Sequence, residues 1–425
     1  MIQRISRIAV LSLILTCPTS LVLAKQAVVG EKSLSSNMGT THPKKTETAA
    51  ASKTSATTPA PESTPAAPAP EVKPPEAKKN FGYNKGFYIQ SDDEKYKLQV
   101  NSYVQLDTEY DRAGGKNTFG FMVRRAELTF SGNIATKKLT YKLQLDFVKY
   151  KTDLLLDAYM NYAFNNNFEV RFGQQTIPWI RQQIESSSNL EFVDRSLASI
   201  EFLNIQDSDS DGDKKADKQT RNSRDMGLVM RGQPFNKKME YQVGVFNGSG
   251  TNSTNFNNDL LYSARAVYNI KGEFGYEEGD YDRLDNPAVF LGGSGNYNVR
   301  DLSNDKITQM GAETGLKYKG LSMQGEFFYR HDHPGDSTLT SKNDYGYYAQ
   351  VGYFAVPKRL EFAARASQVF LQGLQNDKAE FNVGVNGYIY GKNLKVQTDY
   401  SVLPFNTKDG VETSQRWRLR LQTKF

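Results

Sequence analysis

Asp207-Ser208-Asp209-Ser210-Asp211-Gly212-Asp213 places carboxylates at alternate positions ahead of a glycine, and Asp217 follows within reach. Calcium is held by carboxylates that converge from positions 1, 3 and 5 of such a loop, with Gly at 6 allowing the sharp turn. Lys218 stands where the closing Glu of the usual calcium loop belongs, so the competing reading is a solvated acidic insertion. A second set is cationic: Arg416, Arg418 and Arg420 alternate with Trp417, Leu419 and Leu421 near the end of the chain. Guanidinium groups repeated on one face suit oxyanions, because each can contact two oxygens at once. His331 and His333 flank Asp332, a third set that more often means an ordinary loop than a metal site. The remaining histidine, His42, lies far away in a proline-rich stretch, so no histidine stands beside a nucleophile on a candidate strand and an enzyme is not expected.

These side chains need elements to hold them. Arg4 and Arg7, the apolar run Ile8 to Leu15 and the small-residue site Val22-Leu23-Ala24 make residues 1–24 a secretory signal peptide, whose apolar core is too short to span a bilayer as a helix. The one cysteine, Cys17, falls inside it. A lipoprotein reading of Ile14-Leu15-Thr16-Cys17 is the poorer alternative, since Thr16 replaces the expected small residue. The exported chain then has no thiol for disulfides, metal or nucleophilic chemistry. Residues 25–80 are rich in Thr, Ser, Ala, Lys and Pro, with eight prolines between Pro43 and Pro75, and read as a disordered spacer or arm. The net charge of +6 is modest and its charges are interspersed, which gives a nucleic-acid role little support.

Residues 81–425 show a different pattern. Over the whole chain the apolar fraction is 38%, mean hydropathy is −0.60, and 24 Tyr and 24 Phe accompany no apolar run of membrane-helix length after the signal. Alternating, aromatic-rich, weakly hydrophobic sequence is the signature of a transmembrane antiparallel β-barrel, whose wall needs an apolar residue only at every second position. Candidate strands begin near Tyr96, Phe119, Leu139, Asp153, Phe168, Met226, Met239, Leu260, Ala288, Gln309, Leu321, Asn343, Arg359, Ala379, Leu394 and Gln415, sixteen in all. Phe87 to Gln90 is either an extra strand or an inward arm.

Short links at Asn165-Asn166-Asn167, Lys319-Gly320, Val356-Pro357-Lys358 and Gly391-Lys392-Asn393 follow even-numbered candidate strands. Longer polar links, Asn247 to Asp259, His331 to Lys342 and Pro404 to Ser414, follow odd ones. That alternation matches periplasmic turns and external loops. Lys271 to Pro287 breaks it, being long where a turn is due, and leaves the count open there. Gln175 to Arg224, after the fifth strand, is too long for an idle connection and is expected to fold inward as a constriction.

Phe121-Met122-Val123-Arg124-Arg125-Ala126-Glu127-Leu128, Tyr141 to Phe147, Leu156-Asp157-Ala158-Tyr159, Arg171-Phe172-Gly173-Gln174 with Ile177-Pro178-Trp179, and Phe192-Val193-Asp194-Arg195-Ser196 resemble the phosphate-selective porins O and P. Gly244 to Gly248 and the closing Arg418 to Phe425 also resemble that family in order and spacing. The resemblance covers roughly residues 86–425. It implies a homotrimeric sixteen-stranded porin with a loop in the lumen and arginine and lysine side chains that guide anions. The expected location is the bacterial outer membrane, reached by the general secretory route, with the arm in the periplasm. Phe425, a terminal aromatic on an amphipathic strand, is the expected signal to the barrel assembly machinery.

Turning Ala126, Leu128 and Phe130 toward lipid sends Arg125, Glu127 and Thr129 inward. The same parity turns Lys142, Arg171, Arg231, Arg265, Arg365, Lys395, Arg416, Arg418 and Arg420 toward water, together with Lys317 and Arg330. Arg181 and Arg195 are expected on the constriction loop, facing Glu185, Glu191 and Asp194, or paired with them to hold the loop. Arg124 falls on the lipid side by parity and requires an interface, the membrane edge or a local bulge. Acids also point inward, among them Glu127, Asp146, Glu169, Glu240, Glu313, Glu326, Glu361, Glu380 and Asp399. The expected function is passive diffusion of small hydrophilic solutes with a mild anion preference, needing no cofactor beyond any calcium at 207–217. The alternative is a structural or receptor-like barrel with a cell-wall-contacting arm and little conductance.

Overall fold

The computed structural model describes residues 80–149, 154–203, 224–255, 257–300, 303–372, 377–407 and 410–425. Residues 1–79, which hold the signal peptide and all but the last residue of the spacer, and the acidic loop 207–217 lie outside the described residues. A short hairpin, β1 (Phe81–Tyr83) and β2 (Phe87–Gln90), precedes the main sheet. Its first half continues with β3 (Lys97–Ala113), β4 (Lys116–Ile134), β5 (Thr136–Asp146), β6 (Leu155–Asn165), β7 (Phe168–Thr176), β8 (Arg224–Gly232), β9 (Met239–Phe246) and β10 (Leu261–Lys271). The second half is β11 (Ala288–Val299), β12 (Lys306–Tyr318), β13 (Leu321–His333), β14 (Lys342–Val356), β15 (Leu360–Phe370), β16 (Lys378–Tyr390), β17 (Leu394–Thr407) and β18 (Gly410–Lys424).

Each strand from β3 to β18 pairs antiparallel with the next, and β18 closes the ring on β3, from Gln415 opposite Arg112 to Lys424 opposite Tyr103. The result is a closed sixteen-stranded barrel. Closure leaves no edge strand in the ring, so the backbone groups of the wall are satisfied within it, as a bilayer demands. Phe87 to Gln90 is a strand outside the ring: β2 pairs with the start of β3, where β18 has already ended.

The wall is inverted relative to a soluble protein. On β14, Tyr345, Tyr347, Val351 and Tyr353 face outward and exposed, while Asp344, Gln350 and Tyr348 are buried inward. Among the described residues no helix is long and apolar enough to cross a membrane. Crossing by strands needs only the alternate apolar positions seen here.

Strand starts fall within five residues of expectation, Gln415 against Gly410 being the widest difference. The link Lys319-Gly320 has φ of 50° and 92°, the paired positive values of a type I′ turn, which fits the twist of the strands it joins. One connection differs from expectation, and one open count is resolved. Pro404 to Ser414 is mostly ladder rather than loop, with Phe405 opposite Glu412 and Asn406 opposite Val411. Beyond the lipid a hairpin has no need of apolar alternation, which hides it from a period-2 search. Conversely, 272–287 is a true long link within an intact count of sixteen, and it folds inward.

Candidate pore and constriction

After β7 the chain turns into the lumen. Ile177, Trp179, Ile180, Ala198, Phe202 and Leu203 form an apolar cluster with the wall residues Val229, Phe246, Leu261, Phe328, Tyr348 and Val369. The Trp179 indole N–H donates to the Phe202 carbonyl at 3.1 Å, tying the start of this constriction loop to a residue farther along it. Two short helices shape it, α1 (Arg181–Ile184) and α2 (Leu197–Phe202). The Ser196 hydroxyl caps α2 by accepting from the Ser199 N–H at 3.1 Å, which satisfies a donor that the first turn leaves free.

Inward side chains of the wall hold the loop by its backbone. Glu326 accepts from the Arg181 and Gln182 N–H groups at 2.8 and 3.2 Å, and Asp399 accepts from Val193 N–H at 2.9 Å. Arg365 donates to the Asp194 and Arg195 carbonyls at 3.0 and 3.3 Å, and Lys395 donates to the Leu190 carbonyl at 3.0 Å. The loop therefore packs chiefly against the strands after β9, with further contacts to β3, β4, β8 and β9, and that side of the lumen is filled.

On the other side lies a cavity of about 840 Å³, lined by β3 to β9 and by the free face of the loop. Lys142, Arg171 and Arg231 project from its wall, Arg195 faces them from the loop, and Tyr276 closes it below. Among the described residues, six carboxylates share the cavity with seven cationic side chains, so pairing decides what each can do. Lys142 and Arg224 both bind Asp157, at 2.7 and 2.8 Å, and Arg231 lies 3.6 Å from Glu169. Arg171 has no ion-pair partner among the described residues, and its guanidinium carbon sits 4.2 Å from the centre of the Tyr159 ring. Arg195 donates to the carbonyls of Gln182 and Glu185 at 2.6 and 3.3 Å. Burial, then Arg125 beside it, pulls Arg195 down to about 10, which leaves it charged at neutral pH.

Sequence comparison decides the family: the model described as phosphate-selective porin O and P matches residues 95–425. The chain belongs to that family. It is an outer-membrane channel. Among solved structures, the anion-selective porin from Comamonas acidovorans aligns with a TM-score of 0.58 at 10% identity, over 77% of this chain and 99% of that one. The outer-membrane channel DcaP of Acinetobacter baumannii aligns at 0.50 and 16% identity, over 79% and 99%. OmpT, an outer-membrane protein of Vibrio cholerae, aligns at 0.51 and 12% identity, over 77% and 98%. At these identities the likeness is one of fold. No curated protein matches this chain in sequence.

Several cations that parity directs at water are enclosed in this porin. Arg418 grips Asp399 with two hydrogen bonds of 2.9 Å, and Arg420 grips Asp107 with two of 2.7 Å. Arg265 binds Glu313 at 2.6 and 2.8 Å, and Arg365 binds Glu380 at 3.1 Å. Lys395 is buried against loop carbonyls. Arg181 is only 2% exposed, clamped by Glu185 at 2.9 Å and Glu313 at 3.4 Å, with its guanidinium 4.2 Å from the centre of the Phe290 ring. Six of the expected pore-lining residues are thus enclosed rather than facing water: Arg265, Arg365, Lys395, Arg418 and Arg420 on the wall beneath the loop, and Arg181 on the loop's own buried side. Arg416, paired with Asp111 at 2.6 Å near the loop end of β18, stays partly exposed away from the cavity lining.

Arg124 is explained by a bulge: Gln105 faces Arg125 while Leu106 faces Val123, so Arg124 is the extra residue and turns inward. It binds Asp194 on the loop at 2.9 Å. Arg224 and Tyr276 also reach the cavity and escape sequence reasoning, the first because it opens a strand, the second because it sits in the anomalous link. His331 and His333 bond Asn343 and Ser341 at 2.9 Å, and no group of three metal-type ligands occurs among the described residues. Phe425 pairs through its backbone with Ser102 and packs edge-on to Phe87 at 5.7 Å.

Proposed function

We propose that this porin conducts small hydrophilic anions past Arg171 and Arg195, with a mild preference over cations and phosphate as one of several permeant solutes. The observation that carries the reading is the guanidinium of Arg171, held on Tyr159 at the cavity wall and, among the described residues, not ion-paired to a carboxylate. An entering anion replaces lost hydration there with charge-assisted hydrogen bonds, whereas the paired cations are already occupied. The six carboxylates at the cavity argue against strict phosphate selection. The likeness in fold to the anion-selective porin from Comamonas acidovorans is in keeping with this reading.

Planar-bilayer reversal potentials across a salt gradient test it. The parent channel reverses on the anion-selective side, and Arg171→Ala lowers the anion-to-cation permeability ratio about five-fold, the equivalent of about 1 kcal/mol for one unit charge at 4 Å in water. An unchanged ratio overturns the assignment to Arg171. Added phosphate, sulfate or dicarboxylate then ranks the solutes by the current each blocks.

The assembly we propose is a homotrimer, on family grounds, exported by the signal at residues 1–24 with the proline-rich arm in the periplasm. Asp207, Asp209, Asp211, Asp213 and Asp217 are proposed as a calcium loop on their spacing alone. Isothermal titration with calcium checks that site, and no heat above a buffer blank rejects it.

A further inference from the structure

The link between β10 and β11 is longer than any turn at its end of the barrel requires, and its side chains say where it goes. It starts under the wall: Lys317 donates to the Phe274 carbonyl at 3.1 Å, and Phe274 packs on Phe290 with ring centres 4.6 Å apart. It then crosses beneath successive hairpins. Gly320 N–H donates to Asp280 at 2.7 Å, Lys319 N–H to the Leu284 carbonyl at 3.0 Å, and Arg283 to the Phe354 carbonyl at 3.2 Å. Farther across, Tyr281 packs on Phe354 and Tyr388, and Glu277 binds Lys392 of the β16–β17 turn. At Gly279 a Cβ would strike the Glu361 carboxylate, so the backbone lies flush against the wall.

The upper side of this segment meets the constriction loop. Glu278, 1% exposed, accepts from Gln182 Nε2 at 2.8 Å and from the Glu191 N–H at 2.6 Å. Asn189 donates from its side chain to the Tyr276 carbonyl at 3.3 Å, and Arg181 lies over both Phe274 and Tyr276 at 4.9 Å. Tyr276 itself reaches the cavity, accepting from Arg265 at 2.7 Å and donating to Glu240.

We infer that residues 272–287 are a second constriction element: a floor at the short-turn end of the barrel that closes the lumen under the loop, with Glu278 as the residue that positions the loop. Flux is thereby confined to the side of the barrel that carries Arg171. The wall alone does not achieve this, because the loop is anchored from the sides and above by strand residues and from below by this segment.

The test uses the full-length porin in planar bilayers. In one variant residues 273–286 are replaced by an Asn-Gly turn, and in the other Glu278→Ala leaves the segment in place. The excision raises single-channel conductance about two-fold, since a comparable share of the lumen opens, and brings the anion-to-cation permeability ratio toward one. Glu278→Ala gives a channel that switches between the parent level and a higher one. Steady parent conductance in Glu278→Ala overturns the positioning role. Parent conductance in a folded, heat-modifiable excision variant overturns the floor, and if the excision does not insert, Glu278→Ala decides alone. The conductance readout does not depend on the anion assignment, which the Arg171→Ala reversal potential tests separately.

Discussion

Arg171 and Arg418 are the same residue type on the same inward face of one barrel, yet their surroundings give them opposite tasks. Arg418 is locked on Asp399 beneath the loop, whereas Arg171 has an aromatic ring and open cavity. Arg418→Ala strands a buried carboxylate, which costs about 3–5 kcal/mol. The expected result is a lower unfolding midpoint in urea, followed on the heat-modifiable gel band, with ion selectivity unchanged in channels that fold. A changed permeability ratio in that variant contradicts its placement outside the conducting path. Trp179→Ala removes the largest side chain of the interior cluster, at a cost of about 3–5 kcal/mol, and releases the Phe202 carbonyl. Protease sensitivity near residue 180 in folded channels is the expected sign. Sequence parity could find that these arginines face inward, because a period of 2 is a property of the strand itself. It could not tell water from loop behind the wall, since that depends on contacts between residues far apart in sequence, such as Arg420 and Val193. Arg124 shows a further limit: one bulged residue inverts parity without leaving a mark in composition.

The constriction loop is the element whose position sets the pore, and its seat contains buried acids. Burial, against the pull of Arg181, raises Glu185 to about 7, and burial with Glu361 and Glu278 nearby raises Glu191 well above the ordinary carboxylate range. Lys317 and Arg181 oppose this without cancelling it. The seated loop thus binds more protons than the released one, so seating is firmest below the ordinary carboxyl value near 4.5 and weakens as pH rises through about 7. Current recordings at pH 5 and pH 8 check the sign: open-channel noise and transitions to higher levels increase at pH 8. The reverse order contradicts the account of the seat. The loop's existence was legible from its length and its place after the fifth strand. The floor at 272–287 was visible only as an irregularity in the alternation of links, because nothing in its composition announces that Glu278 bonds a loop some 87 residues earlier in the chain.

At the scale of the molecule, the sheet presents aromatic and aliphatic side chains outward and mostly polar ones inward, apart from the apolar patch under the loop, and closes on itself between β18 and β3. That inversion follows from placing alternate residues in hydrocarbon, and it makes fold class and strand count legible in the sequence. What the pattern cannot supply is the asymmetry of the interior, where the side after β9 is filled by loop and floor and the side from β3 to β9 stays open. The most direct test of that account is the reversal potential of single channels in a tenfold salt gradient, recorded for the parent, Arg171→Ala and Arg418→Ala. Anion selectivity that falls in the first variant and persists in the second is the predicted result; selectivity that falls with Arg418 and survives loss of Arg171 would place the conducting path on the other side of the loop.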